Sequence, residues 1–129
     1  MAEQGEIPLQ TQRVVWIAIL QVHLAMALLP ILLTTSGADT DPMIFNMLGL
    51  VAVVELGIGL AWPRFMSGAL GTLRIIGWAM HSSASVMGFV MMFLGGSQLV
   101  GYGLIAAATV LHLVAFPADE APGEGRRQS

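Results

Sequence analysis

The chain has no cysteine and no lysine. Without cysteine there are no disulfides, thiolate metal sites, iron–sulfur clusters or thiol chemistry. Without lysine, with only five arginines and with a formal charge of −3, there is no surface to neutralise phosphates, so nucleic acid is excluded as a partner. Charge of either sign is scarce: 10% of residues are charged, 56% are hydrophobic, and the mean hydropathy is +0.78. Soluble globular chains do not have this composition. In 129 residues it describes one domain built to sit in a lipid bilayer. The N-terminus also lacks the pattern of a cleaved signal, because MAEQGEIPLQTQ is acidic and polar and Arg13 is the sole cation before the first apolar run. That run is expected to stay in the protein.

Four apolar runs are present. Each can cross a bilayer, since about 20 residues rising ~1.5 Å each span the ~30 Å hydrocarbon core. The expected fold is all-α, a polytopic membrane protein with helices at about 14–33, 43–62, 73–94 and 99–116, followed by a disordered tail over 118–129. The first span carries Trp16, Gln21, His23 and Pro30, and Pro30 predicts a kink or local loosening because it donates no hydrogen bond. Asp41 before Pro42 reads as an N-cap followed by proline at the first helical position. The second span holds Glu55, the one carboxylate inside any span, with Gly57 and Gly59 close by. Pro63 and Arg64 are expected to stop it, and FMSGALG forms a short connection at the interface. Gly95, Gly96 and Ser97 leave room only for a tight turn, so the fourth span returns antiparallel to the third.

The third span organises the rest. Within it Gly77, His81, Ala84, Ser85 and Gly88 recur at helical spacing, giving one small, polar face that must meet protein rather than lipid. Gly57 and Gly59 read as a second close-packing surface. Arg13, Arg64, Arg74, Arg126 and Arg127 fall on one side of a four-span arrangement, and the opposite loops carry Asp39 and Asp41 without a cation. By the positive-inside rule both termini are expected in the cytoplasm, in a bacterial inner membrane. Trp62, Phe65 and Trp78 would lie near the cytoplasmic interface and Tyr102 near the other.

Depth along each span gathers the polar residues into a layer. Counting from the cytoplasmic ends places His23 at roughly 13 Å, Glu55 at roughly 10 Å, His81 at roughly 12 Å and His112 at roughly 6 Å. Gln21, Ser82, Ser83, Ser85 and Thr109 lie in or near this slab. A charged group there costs about 2.5–3.5 kcal/mol on insertion scales, so each needs a partner, and a contact between Glu55 and a histidine is the obvious one. Two readings follow. The layer is a site: a proton or cation path, a metal centre, or haem b ligated by His23 and His81, which lie on helices running the same way. Alternatively it is interhelical glue, at ~0.6–2 kcal/mol per hydrogen bond. For a metal, His23, Glu55, His81 and His112 are suitable ligand types, but no His-x-x-x-His or Glu-x-x-His spacing supports them. Ser82 or Ser83 beside His81 does not make a nucleophile and base, since neighbours on a helix point about 100° apart and no oxyanion-binding element is visible. The nine methionines are scattered as packing filler rather than grouped as copper ligands.

Two patterns run through the chain. Arg13-VVWIAIL aligns with Arg74-IIGWAMH, and LAWP ending at Pro63 echoes VAFP ending at Pro117, a faint duplication of one hairpin. The central hairpin, LGIGLAWPR followed by LRIIGWAMHSSASVMGFVMMFLGG, resembles the c subunit, or proteolipid, of rotary ATPases. The match lies in Ile75, Ile76, Gly77, Ala79, Gly88 and Val90. Where that family has its ion-carrying carboxylate this chain has Ser82, the connecting loop is shorter, and one glycine-rich turn remains. The resemblance therefore implies a c-like protein that has lost ion binding or moved it to Glu55. The leading expectation is a small non-catalytic membrane protein, surrounded by lipid, that joins other membrane subunits or self-associates through Gly77, His81, Ser85 and Gly88. The alternatives are a redox or proton-handling protein using Glu55 and the histidines, and a small dimeric transporter.

Overall fold

The computed structural model describes residues 6–33, 40–65 and 70–117. It is all-helical: α1 (Leu9–Leu32), α2 (Pro42–Phe65), α3 (Leu70–Phe93) and α4 (Gln98–Val114). The first three are long and apolar enough to cross a membrane, and α4, with 17 residues, is shorter. α3 is the hub, packing against each of the other helices, and among the described residues α1 and α2 do not meet. The helix with the small polar face is thus the one the others surround. Large apolar side chains of α1 and α2, Leu24, Leu28, Ile31, Met47, Leu50 and Val53 among them, point outward, as suits helices whose other faces meet lipid.

The helix ends follow from local chemistry. The Asp41 carboxylate accepts from the Met43 N–H at 2.9 Å, so the anticipated N-cap starts α2 with Pro42 in its first turn. At the other end of α3, Gly95 takes φ 87°, the Gly96 N–H bonds the Met91 carbonyl at 2.8 Å and the Gly95 N–H bonds that of Met92 at 3.0 Å. This is a glycine-terminated Schellman stop. One residue on, Ser97 caps α4 by accepting from the Val100 N–H at 3.3 Å. The chain reverses in four residues, Leu94 to Ser97.

Several boundaries differ from expectation. α1 starts at Leu9, five residues before Val14, because its polar first turns are satisfied in the fold: the Gln12 amide donates to the Ile7 carbonyl at 2.7 Å and accepts from Arg74 at 3.1 Å. At its other end α1 runs through Pro30 to Leu32, within a residue of the expected 33. α2 passes through Pro63 and Arg64 to Phe65 instead of stopping. Proline has no N–H for the carbonyl four residues back, here Gly59, and that carbonyl faces α3, where a Cβ on Gly77 would lie 3.1 Å from it. α4 ends at Val114, before Phe116. The connection expected at 66–69 and the tail expected over 118–129 lie outside the described residues.

α3 and α4 form a hairpin with two different faces. Toward α2 an apolar cluster fills part of the contact: Ala52, Ala84, Met91, Leu104 and Ala108 are buried together, with Phe45, Leu48, Leu56 and Met87 packed around them. Further along, Gly88 and Gly101 bring α3 and α4 into backbone contact, since a Cβ on Gly88 would stand 2.7 Å from the Gly101 carbonyl oxygen. Toward α1 the contact is polar.

Candidate functional site

α1 and α3 run parallel and in step. Gln12 meets Arg74 and His23 meets Ser85, both pairs 62 residues apart, one residue out of register with the alignment of Arg13 on Arg74. α1 turns Gln12, Trp16 and His23 inward, positions i, i+4 and i+11 on one helical face. α3 supplies Trp78, His81 and Ser85, and α4 supplies His112; all of these side chains are buried. Three histidines from three helices therefore enter one interior.

Trp16 and His112 hold each other twice. The Trp16 indole N–H donates to the His112 carbonyl at 2.8 Å, and His112 Nε2 bonds the Trp16 carbonyl at 2.9 Å. Their rings stack with centres 5.0 Å apart and planes 11° from parallel. The His23 ring centre also lies 5.0 Å from that of His112, and the Trp78 ring meets it edge-on with centres 6.1 Å apart. The Trp78 indole N–H donates to the Ala115 carbonyl at 3.1 Å. Two tryptophans from parallel helices thus satisfy carbonyls at the C-terminal end of α4, which would otherwise lack donors. Arg13 adds a contact from its Nε to the Pro117 carbonyl at 3.5 Å and lies over the Phe116 ring at 5.9 Å.

His23 pairs through Nδ1 with the Ser85 hydroxyl. His81 packs against α2, where a Cβ on Gly59 would come within 2.9 Å of its ring. Among the described residues four buried imidazole nitrogens have no hydrogen-bond partner, His23 Nε2, His112 Nδ1 and both nitrogens of His81, as does the Trp62 indole nitrogen.

The remaining candidates divide. Glu55 does not pair with a histidine; its Oε1 accepts from the Ser83 hydroxyl at 3.1 Å, and its buried Oε2 has no partner. It lies one helical turn from Gly59, hence on the α2 face that meets His81. Ser82, half-buried, belongs to neither contact. Thr109 bonds back to the Ile105 carbonyl of its own helix at 2.7 Å. Gln21 is exposed and leaves the layer, because two residues, about 200° of helical rotation, separate it from His23. Gly57 does not pack closely, since a Cβ there meets nothing within 4 Å. Gly59, Gly77, Ser85 and Gly88 are buried, as are Gly71 and Gly101. Trp78, 1% exposed, is an interior residue rather than an interfacial anchor. Sequence reasoning passes over Gln12 and Trp16; their signal is the stripe they form with His23.

The chemistry is narrowed by this geometry. Among the described residues no group of three or more histidines and carboxylates is placed to hold a metal ion. Haem between His23 and His81 needs a slot for the macrocycle between their rings, whereas His23 lies directly against Ser85, one turn from His81 on the same helix. The geometry does not fit haem there. A separate cavity of about 380 Å³, between Phe45, Asn46, Gly49 and Met91, contains no ionisable side chain. No family model, no curated protein and no solved structure matches the chain.

Proposed function

We propose that this is a small, non-enzymatic membrane protein that handles protons through its histidine layer, opening toward the end of the bundle that bears Arg13 and Arg74. One observation carries the reading: four buried imidazole nitrogens are left without partners where glue would have paired them. Unpaired buried polar atoms cost about 1–3 kcal/mol each and in a native fold call for an explanation. Proton exchange is the chemistry that free ring nitrogens perform.

The roles differ by atom. His112 keeps its Nε2 hydrogen on the Trp16 carbonyl, so it takes and returns a proton only at Nδ1 and acts as a store. His81 has both nitrogens free, so it accepts at one and releases at the other, which is what a relay step needs. In this reading Glu55, on α2 a turn from Gly59 and bonded to Ser83, is the carboxylate that exchanges with it. The apolar layer beyond, closed by Gly88, Gly101 and Met92, favours uptake from one side over conduction across the bilayer. The test is proton uptake by the protein in nanodiscs after a pH jump, read with an indicator dye. Loss of uptake in His81→Gln and in Glu55→Gln supports the reading, and wild-type uptake in both variants removes it.

A second reading, a subunit or self-associating proteolipid-like protein, draws on the outward face of α2, where Gly57 stands in open space. The face of Gly77, His81, Ser85 and Gly88 is occupied within the chain, so a partner would need this other surface. Under the c-subunit resemblance, α2 and α3 are the hairpin and Glu55 the relocated carboxylate. Native mass in mild detergent separates a monomer from the ring, complex or transporter dimer.

A further inference from the structure

Near the start of α2, Pro42, Phe45, Asn46, Gly49 and Leu50 recur at i, i+3, i+4, i+7 and i+8, which is one face of a helix. Together with Met91, Ser97 and Val100 they line the cavity of about 380 Å³. A Cβ on Gly59 would meet Gly77, whereas one on Gly49 would meet Met91, so α2 runs antiparallel to α3 and this cavity lies at the end away from Arg74. Its floor is Gly49 and Met91: Met91 is 4% exposed, and its methyl would stand 3.8 Å from a Cβ on Gly49. Leu50 and Val100, 66% and 46% exposed, stand at the mouth. The cleft therefore opens sideways between α2 and α4, onto the surface that lipid covers. Its volume lies within the range of small-molecule sites, roughly 300–1,000 Å³. That suits one acyl chain and not a helix, which is about 10–12 Å across.

Two polar groups say what kind of molecule enters. Ser97 is engaged as the cap of α4, but the Asn46 side chain is exposed and its amide makes no hydrogen bond with the described residues. Asn46 lies one turn past Pro42, where α2 passes from the polar interface into hydrocarbon, and an amide there costs free energy unless it finds an acceptor. The ester carbonyl of a phospholipid is an acceptor at that depth. The second group is Asp41, exposed and one residue before the cleft, with one carboxylate oxygen accepting from the Met43 N–H. Arg13, Arg64 and Arg74 belong to the opposite end, so no described cation offsets Asp41 here. An ammonium headgroup complements that carboxylate, and an anionic headgroup is repelled by it. We propose that the cleft binds one amine-bearing, zwitterionic diacyl phospholipid. One acyl chain lies over Gly49 and Met91, the Asn46 amide donates to an ester carbonyl, and the ammonium faces Asp41.

The test is native mass spectrometry of the full chain, delipidated in detergent and then offered equal amounts of phosphatidylethanolamine and phosphatidylglycerol. The expected spectrum shows one phosphatidylethanolamine per chain, retained at a collision energy that strips phosphatidylglycerol. Asn46→Leu removes the donor from an exposed position and should lose the retained lipid, with circular dichroism confirming an unchanged helical fold. Gly49→Leu fills the floor and should lose it too. Asp41→Asn keeps a side chain that caps helices well but removes the charge, so the variant should hold both lipids alike. Equal retention of the two lipids by the wild type, or wild-type retention in Asn46→Leu or in Asp41→Asn, would overturn the site. So would a lipid-free dimer that Gly49→Leu dissociates, since a second copy would then occupy the cleft.

Discussion

Trp16 and His112 exchange hydrogen bonds through side chain and backbone, so the two atoms of the tryptophan role can be separated by substitution. Trp16→Phe keeps an aromatic face against the imidazole and removes only the donor to the His112 carbonyl. Interhelical hydrogen bonds in membranes average about 0.6 kcal/mol with a maximum near 1.7, so a loss in that range is expected, measured by dodecyl-sulfate unfolding in mixed micelles. Trp16→Ala also forfeits the stack and should cost more, because buried aromatic pairs contribute about 0.5–1.5 kcal/mol beyond their area. Equal losses for Phe and Ala would mean that the ring contributes nothing beyond its N–H. At this scale the sequence was half legible. Histidine and glutamate announce themselves in an apolar run; the donors that engage the end of α4 are tryptophans, which are at home in membrane helices for many reasons and carry no such flag.

Between helices the glycines decide how close the backbones come, and two matched pairs test this. Gly88→Ala would drive a Cβ to 2.7 Å from the Gly101 carbonyl oxygen, an atom of the backbone that cannot swing aside, whereas a Cβ at Gly103 meets nothing within 4 Å. Gly59→Ala presses on the His81 ring at 2.9 Å, and Gly57→Ala meets open space. Overpacking costs about 1–3 kcal/mol, so Gly88→Ala and Gly59→Ala should unfold at distinctly lower denaturant. Gly103→Ala and Gly57→Ala should match or slightly exceed the wild type, since alanine favours helix by up to ~1 kcal/mol. If all four behave alike, the close approach of α3 to α2 and α4 is wrong. The same comparison shows what could be read in advance. Gly57 and Gly59, like Gln21 and His23, are two residues apart and so point to opposite sides of a helix; depth alone groups them, and only helical phase divides them. The run of α2 through Pro63 was not readable, because it depends on where α3 lies.

For the whole molecule, the count of four helices and the central place of α3 could be read from hydropathy and from the small polar face of Thr72 to Gly96. What hydropathy could not supply was why α4 is short. A 17-residue helix rises only ~26 Å, less than the ~30 Å core, yet its carbonyls at His112 and Ala115 are met inside the protein by Trp16 and Trp78. A helix whose end is satisfied by side chains need not reach water to terminate. In the topology proposed from this, α4 crosses with the others and the chain returns to the side on which it began. The absence of native cysteine lets single cysteines report it with a membrane-impermeant maleimide. Thr11→Cys, Thr72→Cys and Ser129→Cys should label from one side and Gln98→Cys from the other. In inside-out vesicles the first three should be the reactive set, because Arg13 and Arg74 favour the cytoplasm. Ser129→Cys labelling together with Gln98→Cys would mean that α4 does not cross, and the histidine layer would then lie at the membrane edge rather than within it.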